Sequence, residues 1–233
     1  QDSSFLSTKF HSGIAYNIKP KMTISLTYDS ETSENTLQNN TTENIKDFEN
    51  SFFGAQFTYR VSNNDSFLNN RFLIKINPSI GHRNNDNKKT EQFKLNFEAS
   101  YLWEFNTRNY FFIQNKTGYL NSNSYIENEL YRIGGANSIR GFNEQSIFTT
   151  QYTFINLEYR YLTSQNSYLY SITDFGRIKT LNSVNKNLYG LGLGYLFKIK
   201  NSQVNIGYVI GKSPNQTFDL KQSKLLITLL SYF

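Results

Sequence analysis

The residues with the greatest chemical content lie in one short stretch, YRIGGANSIRGF, from Tyr131 to Phe142. Arg140 stands there between Ile139 and Gly141, with Gly134 and Gly135 before it and Phe142 after it. A loop arginine is ordinarily solvated and binds nothing of consequence. A guanidinium taken out of water regains favourable energy only through charge-assisted, ideally bidentate, bonds to carboxylates. Gly134, Gly135 and Gly141 let the backbone take φ > 0 and come close to a neighbouring surface. Catalytic chemistry is thin elsewhere. His11 and His82 are the only two histidines, fall on different predicted strands and have no cysteine to help them hold a metal. Glu98 and Glu104 could mimic a hydrolase pair, but two carboxylates on a wet lumen face are far more common. The glycines at 190, 192 and 194 have strand spacing with no helix after them, and no nucleophile elbow is present. The expectation is a protein without enzymatic activity, cofactor or metal.

The elements that must position Arg140 are strands. Residues 92–105, QFKLNFEASYLWEF, put Phe93, Leu95, Phe97, Ala99, Tyr101 and Trp103 on one face and Lys94, Asn96, Glu98 and Ser100 on the other. Residues 188–197 set Tyr189, Leu191, Leu193, Tyr195 and Phe197 against Gly190, Gly192 and Gly194, which leaves one face bare of side chains. The same period of two marks 71–82, 151–162 and 203–211. Strands are also expected at 9–18, 21–28, 52–61, 109–119, 167–176 and 224–233, about eleven in all. Strands of a soluble sandwich average about 5–6 residues. These are longer and match the ~9–11 residues that a tilted strand needs to cross an apolar bilayer. A mean hydropathy of −0.55 does not argue against this, because a barrel alternates lipid-facing apolar residues with polar lumen residues. With 17 Tyr and 20 Phe there are aromatics enough for the girdles at both ends of the crossing. The fold class is therefore an all-β, antiparallel transmembrane barrel.

Connections alternate in length. Short links at 19–20, 106–108, 163–166 and 200–201 take turns with long ones at 29–50, 83–91, 120–149, 177–186 and 212–223; only 62–70 blurs the contrast. Outer-membrane barrels keep short turns in the periplasm and long loops outside. The Arg140 motif then belongs to the longest external loop, 120–149. An odd number of antiparallel strands cannot close antiparallel at its seam, so further strands are expected upstream of Gln1. The other possibility is a short extra strand at 3–8 and closure at about twelve. The net charge of +6 is scattered among strands and Asn-rich loops, so no nucleic-acid partner is expected.

Gly134-Gly135, then Ser138-Ile139-Arg140-Gly141-Phe142, with five strands from there to a terminal aromatic, resembles the barrel of the BamA/TamA outer-membrane assembly superfamily (bacterial surface antigen family). The resemblance covers about Tyr119 to Phe233. It implies that loop 120–149 folds back into the lumen. It also implies that Arg140 pairs with an acidic residue on the next strand, Glu158 in NLEYRY, and with an aspartate on the one after, Asp174 in ITDFG. Ile172 stands where the family has an aromatic. The last strand, LLITLLSYF, places Leu225, Ile227, Leu229 and Phe233 on one face, similar to the terminal pattern by which outer-membrane strands are recognised for insertion; Ser231 breaks the series.

By resemblance, the chain would be part of a sixteen-stranded barrel preceded by periplasmic POTRA domains. It would insert or translocate other outer-membrane or surface polypeptides without nucleotide hydrolysis. Outer-membrane lipid, client polypeptides and accessory lipoproteins would be its partners, in the outer membrane of a Gram-negative-type bacterium. Two alternatives stay open at this level: a two-partner-secretion transporter of one dedicated client, and a passive channel or surface-binding barrel.

Overall fold

The structure, a computed structural model, describes residues 5–36, 45–62, 68, 70–86, 88–214 and 216–231. Its strands are β1 (Phe5–Lys19), β2 (Met22–Asn35), β3 (Phe48–Ser62), β4 (Asn70–Asn85), β5 (Lys88–Asn106) and β6 (Asn109–Ser122), then β7 (Tyr131–Ile133) and β8 (Ile147–Thr149), and finally β9 (Gln151–Ser164), β10 (Ser167–Lys179), β11 (Asn185–Ile199), β12 (Ser202–Lys212) and β13 (Lys224–Ser231). Eleven of them form one sheet in sequence order, each antiparallel to the next, with β1 and β13 at its two ends. β7 and β8 pair only with each other, as a small hairpin inside the connection from β6 to β9.

The sheet is rolled. Arg132 of β7 lies over the Phe5 ring of β1, 4.4 Å from its centroid, while the adjacent Ile133 packs with Phe154 on β9. A flat sheet, with strands about 4.8 Å apart, would hold β1 and β9 about 29 Å from each other. Alternation sorts the side chains between two environments. Ile14, Leu26, Ile80, Trp103, Leu193 and Tyr208 stand exposed on the outer face. Thr27, Ser79, Gln92, Ser100, Asn156 and Asp174 are buried on the inner one. Apolar outside and polar inside is the inverse of a soluble β-protein and is what a bilayer selects. Tyr101, Trp103, Phe105, Tyr161 and Tyr195 gather on the outer face toward the short-turn end, with Trp103 stacked on Phe105 at 4.7 Å between ring centroids. Aromatics of this kind settle at the level of lipid headgroups.

Several strands run further than hydropathy alternation indicates. The long connections expected at 29–50 and 83–91 shrink, because β2 continues to Asn35 and β4 and β5 continue to Asn85 and Lys88. A tight turn then joins β4 to β5, with Asp86 at φ 48°, a conformation that aspartate tolerates better than most residues. Beyond the apolar band neither face of a hairpin has to be greasy, so polar strands such as Glu31–Ser33 are easily mistaken for loops. The separate short strand considered at 3–8 is ruled out, since β1 runs unbroken from Phe5 to Lys19.

Candidate functional site

The connection between β6 and β9 packs against the inner face of the sheet. Its apolar residues anchor it first: Ile133 and Ile139 are buried with Phe154 on β9, Ile178 on β10 and Leu188 on β11, and Tyr131, Phe142 and Ile147 cover that cluster. Ile139 is wholly buried, and removing one aliphatic side chain from water contributes about 1.5–3 kcal/mol.

Arg140 lies beyond that cluster. Its backbone N–H donates to Asp174 Oδ2 at 3.0 Å, its Nε donates to the same oxygen at 2.8 Å, and its Nη2 donates to Oδ1 at 2.5 Å. Nη1 donates to Glu158 Oε1. The other carboxylate oxygen of Glu158 accepts from Nε of Arg160 at 2.8 Å, and that guanidinium stacks over Phe112 with 4.1 Å to the ring centroid. The cluster is electrically balanced, two guanidiniums against two carboxylates. Asp174's side chain is fully buried, and those of Glu158 and Arg140 are 9% exposed. Burial works against the charged guanidinium of Arg140. Its hydrogen bond to Asp174 and the negative charges of Glu158 and Asp174 outweigh that, so its pKa is raised and it stays cationic.

Glycines let the loop tip reach the wall. Gly141 has φ +92°, and a methyl group there would lie 2.5 Å from the amide nitrogen of Gly211 on β12. A methyl group on Gly211 would in turn strike the carbonyl oxygen of Gly141, and one on Gly190 the carbonyl oxygen of Arg140. Gly190 pairs with Gly211 on one side and with Asp174 on the other, so this bare row lies directly under the motif. Of the three alternating glycines of β11, Gly190 receives the loop, whereas the space over Gly194 is taken by the Tyr170 ring. Glu158 is the eighth of the fourteen residues of β9. At about 3.3 Å per residue, the tip therefore sits roughly 23 Å along that strand from its loop-proximal end.

Arg140, Glu158 and Asp174 thus meet in one cluster, with Ile139, Gly141 and Phe142 packed beside them. Gly134 and Gly135, with φ +112° and +93°, turn the chain between the β7–β8 hairpin and the tip. Leu225, Ile227 and Leu229 face the other way, exposed in a row on the outer face of β13; Phe233 lies outside the described residues. Ile172, at the position where an aromatic was the expectation, is buried in the apolar cluster beneath Arg140. Sequence reading missed Arg160, although it shares a strand face with Glu158 two residues away. It also missed Gly211, and Gly176, which accommodates the Ile139 side chain.

Fold and site define a rolled antiparallel sheet whose interior is occupied by its own salt-bridged loop. Over residues 3–197 the chain matches the family described as haemolysin secretion/activation protein ShlB/FhaC/HecB, and it belongs to that family. The members are outer-membrane transporters that act on client polypeptides, in the two-partner-secretion branch of the superfamily that also holds BamA. The resemblance to BamA/TamA therefore holds at superfamily level, and the closer affiliation is with secretion. No curated protein matches the chain.

Proposed function

We propose that this chain is the barrel of a transporter that releases one dedicated polypeptide client across the outer membrane of a Gram-negative-type bacterium, without nucleotide hydrolysis. The carrying observation is membership of the secretion/activation family over residues 3–197, joined to a loop pinned on the inner face of the sheet. The client passes through the interior as an extended chain. The Arg140 cluster holds the loop tip in one place before and after passage. POTRA domains that receive the client, outer-membrane lipid around the apolar belt, and recognition of the last strand through Leu225, Ile227, Leu229 and Phe233 complete this reading. General assembly of outer-membrane proteins is the coarser reading, and the family affiliation favours dedicated secretion over it.

The test is deletion of the gene followed by comparison of the secreted and outer-membrane proteins. Loss of one large secreted polypeptide with an unchanged outer-membrane profile is the expected result. A general depletion of outer-membrane barrels would overturn the reading in favour of assembly.

A further inference from the structure

The Arg140 tip is not the loop's only buried polar attachment. Glu129, in the short 3₁₀ turn Glu127–Glu129, has a side chain only 1% exposed and is paired with Arg83 of β4. Its Oε1 accepts from Arg83 Nη1 and, at 2.9 Å, from the backbone N–H of Ile126. Its Oε2 accepts from Gln92 Nε2 of β5 at 2.8 Å. Arg83 reaches further along the loop and donates to the hydroxyl and the carbonyl of Ser124 at 2.9 and 3.2 Å. Beside this pair, Asn128 donates through Nδ2 to Ser33 Oγ of β2 at 2.8 Å and to the carbonyl of Lys46 at 2.9 Å. These contacts use β2, β4 and β5, whereas the Arg140 cluster uses β9 and β10, and no side chain is shared between them. Between the two attachments lie Gly134 and Gly135 with positive φ. On the return side, Thr149 and Thr150 are tied to the carbonyl of Lys179.

We propose that Glu129 and Asn128 are positioning residues that clasp the root of the loop to the β2–β4–β5 wall. The loop is then a strap with a fixed root and a separately releasable tip. When Arg140 lets go, the tip swings about Gly134 and Gly135 while the root stays in place. An unpaired buried carboxylate is costly, so burial of Glu129 to this depth, with both oxygens occupied, marks a built contact. The inference concerns the mechanics of the loop and holds whichever polypeptide the barrel passes.

The chain has no cysteine, so single thiol reporters can be read in the folded barrel in lipid vesicles. Ile139→Cys reports the tip and Leu130→Cys the root; both positions are buried. In an Arg140→Ala background, maleimide labelling of the tip reporter should speed up about tenfold or more, while the root reporter stays within about twofold of its parent. Arg83→Ala with Glu129→Ala, a neutral double removal, should invert the pattern. If that variant does not run as a folded, heat-modifiable barrel, Asn128→Ala removes no charge and carries the same test. Equal acceleration of both reporters by Arg140→Ala, or a root reporter left unreactive when its own clasp is removed, would overturn the proposal.

Discussion

Charge balance in the Arg140 cluster makes a prediction that simple counting of contacts does not. Arg140, Arg160, Glu158 and Asp174 sum to zero, and Glu158 bridges the two guanidiniums through different oxygens. Glu158→Ala leaves two buried cations facing one carboxylate, and breaking a buried pair in this way costs about 3–5 kcal/mol. Arg160→Ala leaves Glu158 still bonded to Arg140 and exposes the Phe112 ring that Arg160 covers. It should cost less than Glu158→Ala. The double variant restores neutrality, with Arg140 still donating three hydrogen bonds to Asp174. Its loss should therefore fall short of the sum of the single losses by about 0.5–3 kcal/mol, the range for residues in one ionic network. Urea unfolding of the barrel from lipid vesicles, read by tryptophan fluorescence from the single Trp103, measures all four corners of the cycle. Strict additivity would show that Glu158 and Arg160 do not act through a common charge balance, and the electrostatic description of the site would be wrong.

Other consequences can be checked with single variants. Gly211→Val should push the tip off the wall, because a side chain there meets the backbone of Gly141; single-channel recordings should show higher or noisier conductance than the parent. Ile139→Ala, at a wholly buried position, should destabilise the barrel by about 2–5 kcal/mol, visible as a lower temperature of gel-mobility conversion. Leu193→Arg, at an outer-face residue 70% exposed, should cost up to about 2–4 kcal/mol if it lies at the bilayer midplane and almost nothing in a detergent that covers the belt poorly. Equal losses in lipid and detergent would argue against a lipid-facing role.

The period of two in residues such as Phe93 to Trp103 was enough to read the strands, their antiparallel order and the apolar outer face. Strand ends are not legible, because past the lipid the alternation loses its hydrophobic amplitude; Arg83 falls in the expected connection 83–91 for that reason. Glu158 and Asp174 were reached through family resemblance, since nothing local in NLEYRY or ITDFG distinguishes a carboxylate that binds Arg140 from one that faces water. Arg160 could have been found from strand geometry, as positions i and i+2 share a face. Glu129 could not, because its partners lie 46 and 37 residues earlier on other strands and only the rolled sheet brings them together.

The account depends most on a loop tip that sits inside the barrel and must yield for a client to pass. Asn156 of β9 donates to the carbonyl of Ser138 at 3.1 Å, so Ser138→Cys with Asn156→Cys should be joined by a short methanethiosulfonate cross-linker in this otherwise cysteine-free chain. The joined protein should stop releasing client and should resume on reduction. Failure of the two thiols to cross-link, or release at the parental rate while they are joined, would contradict the account.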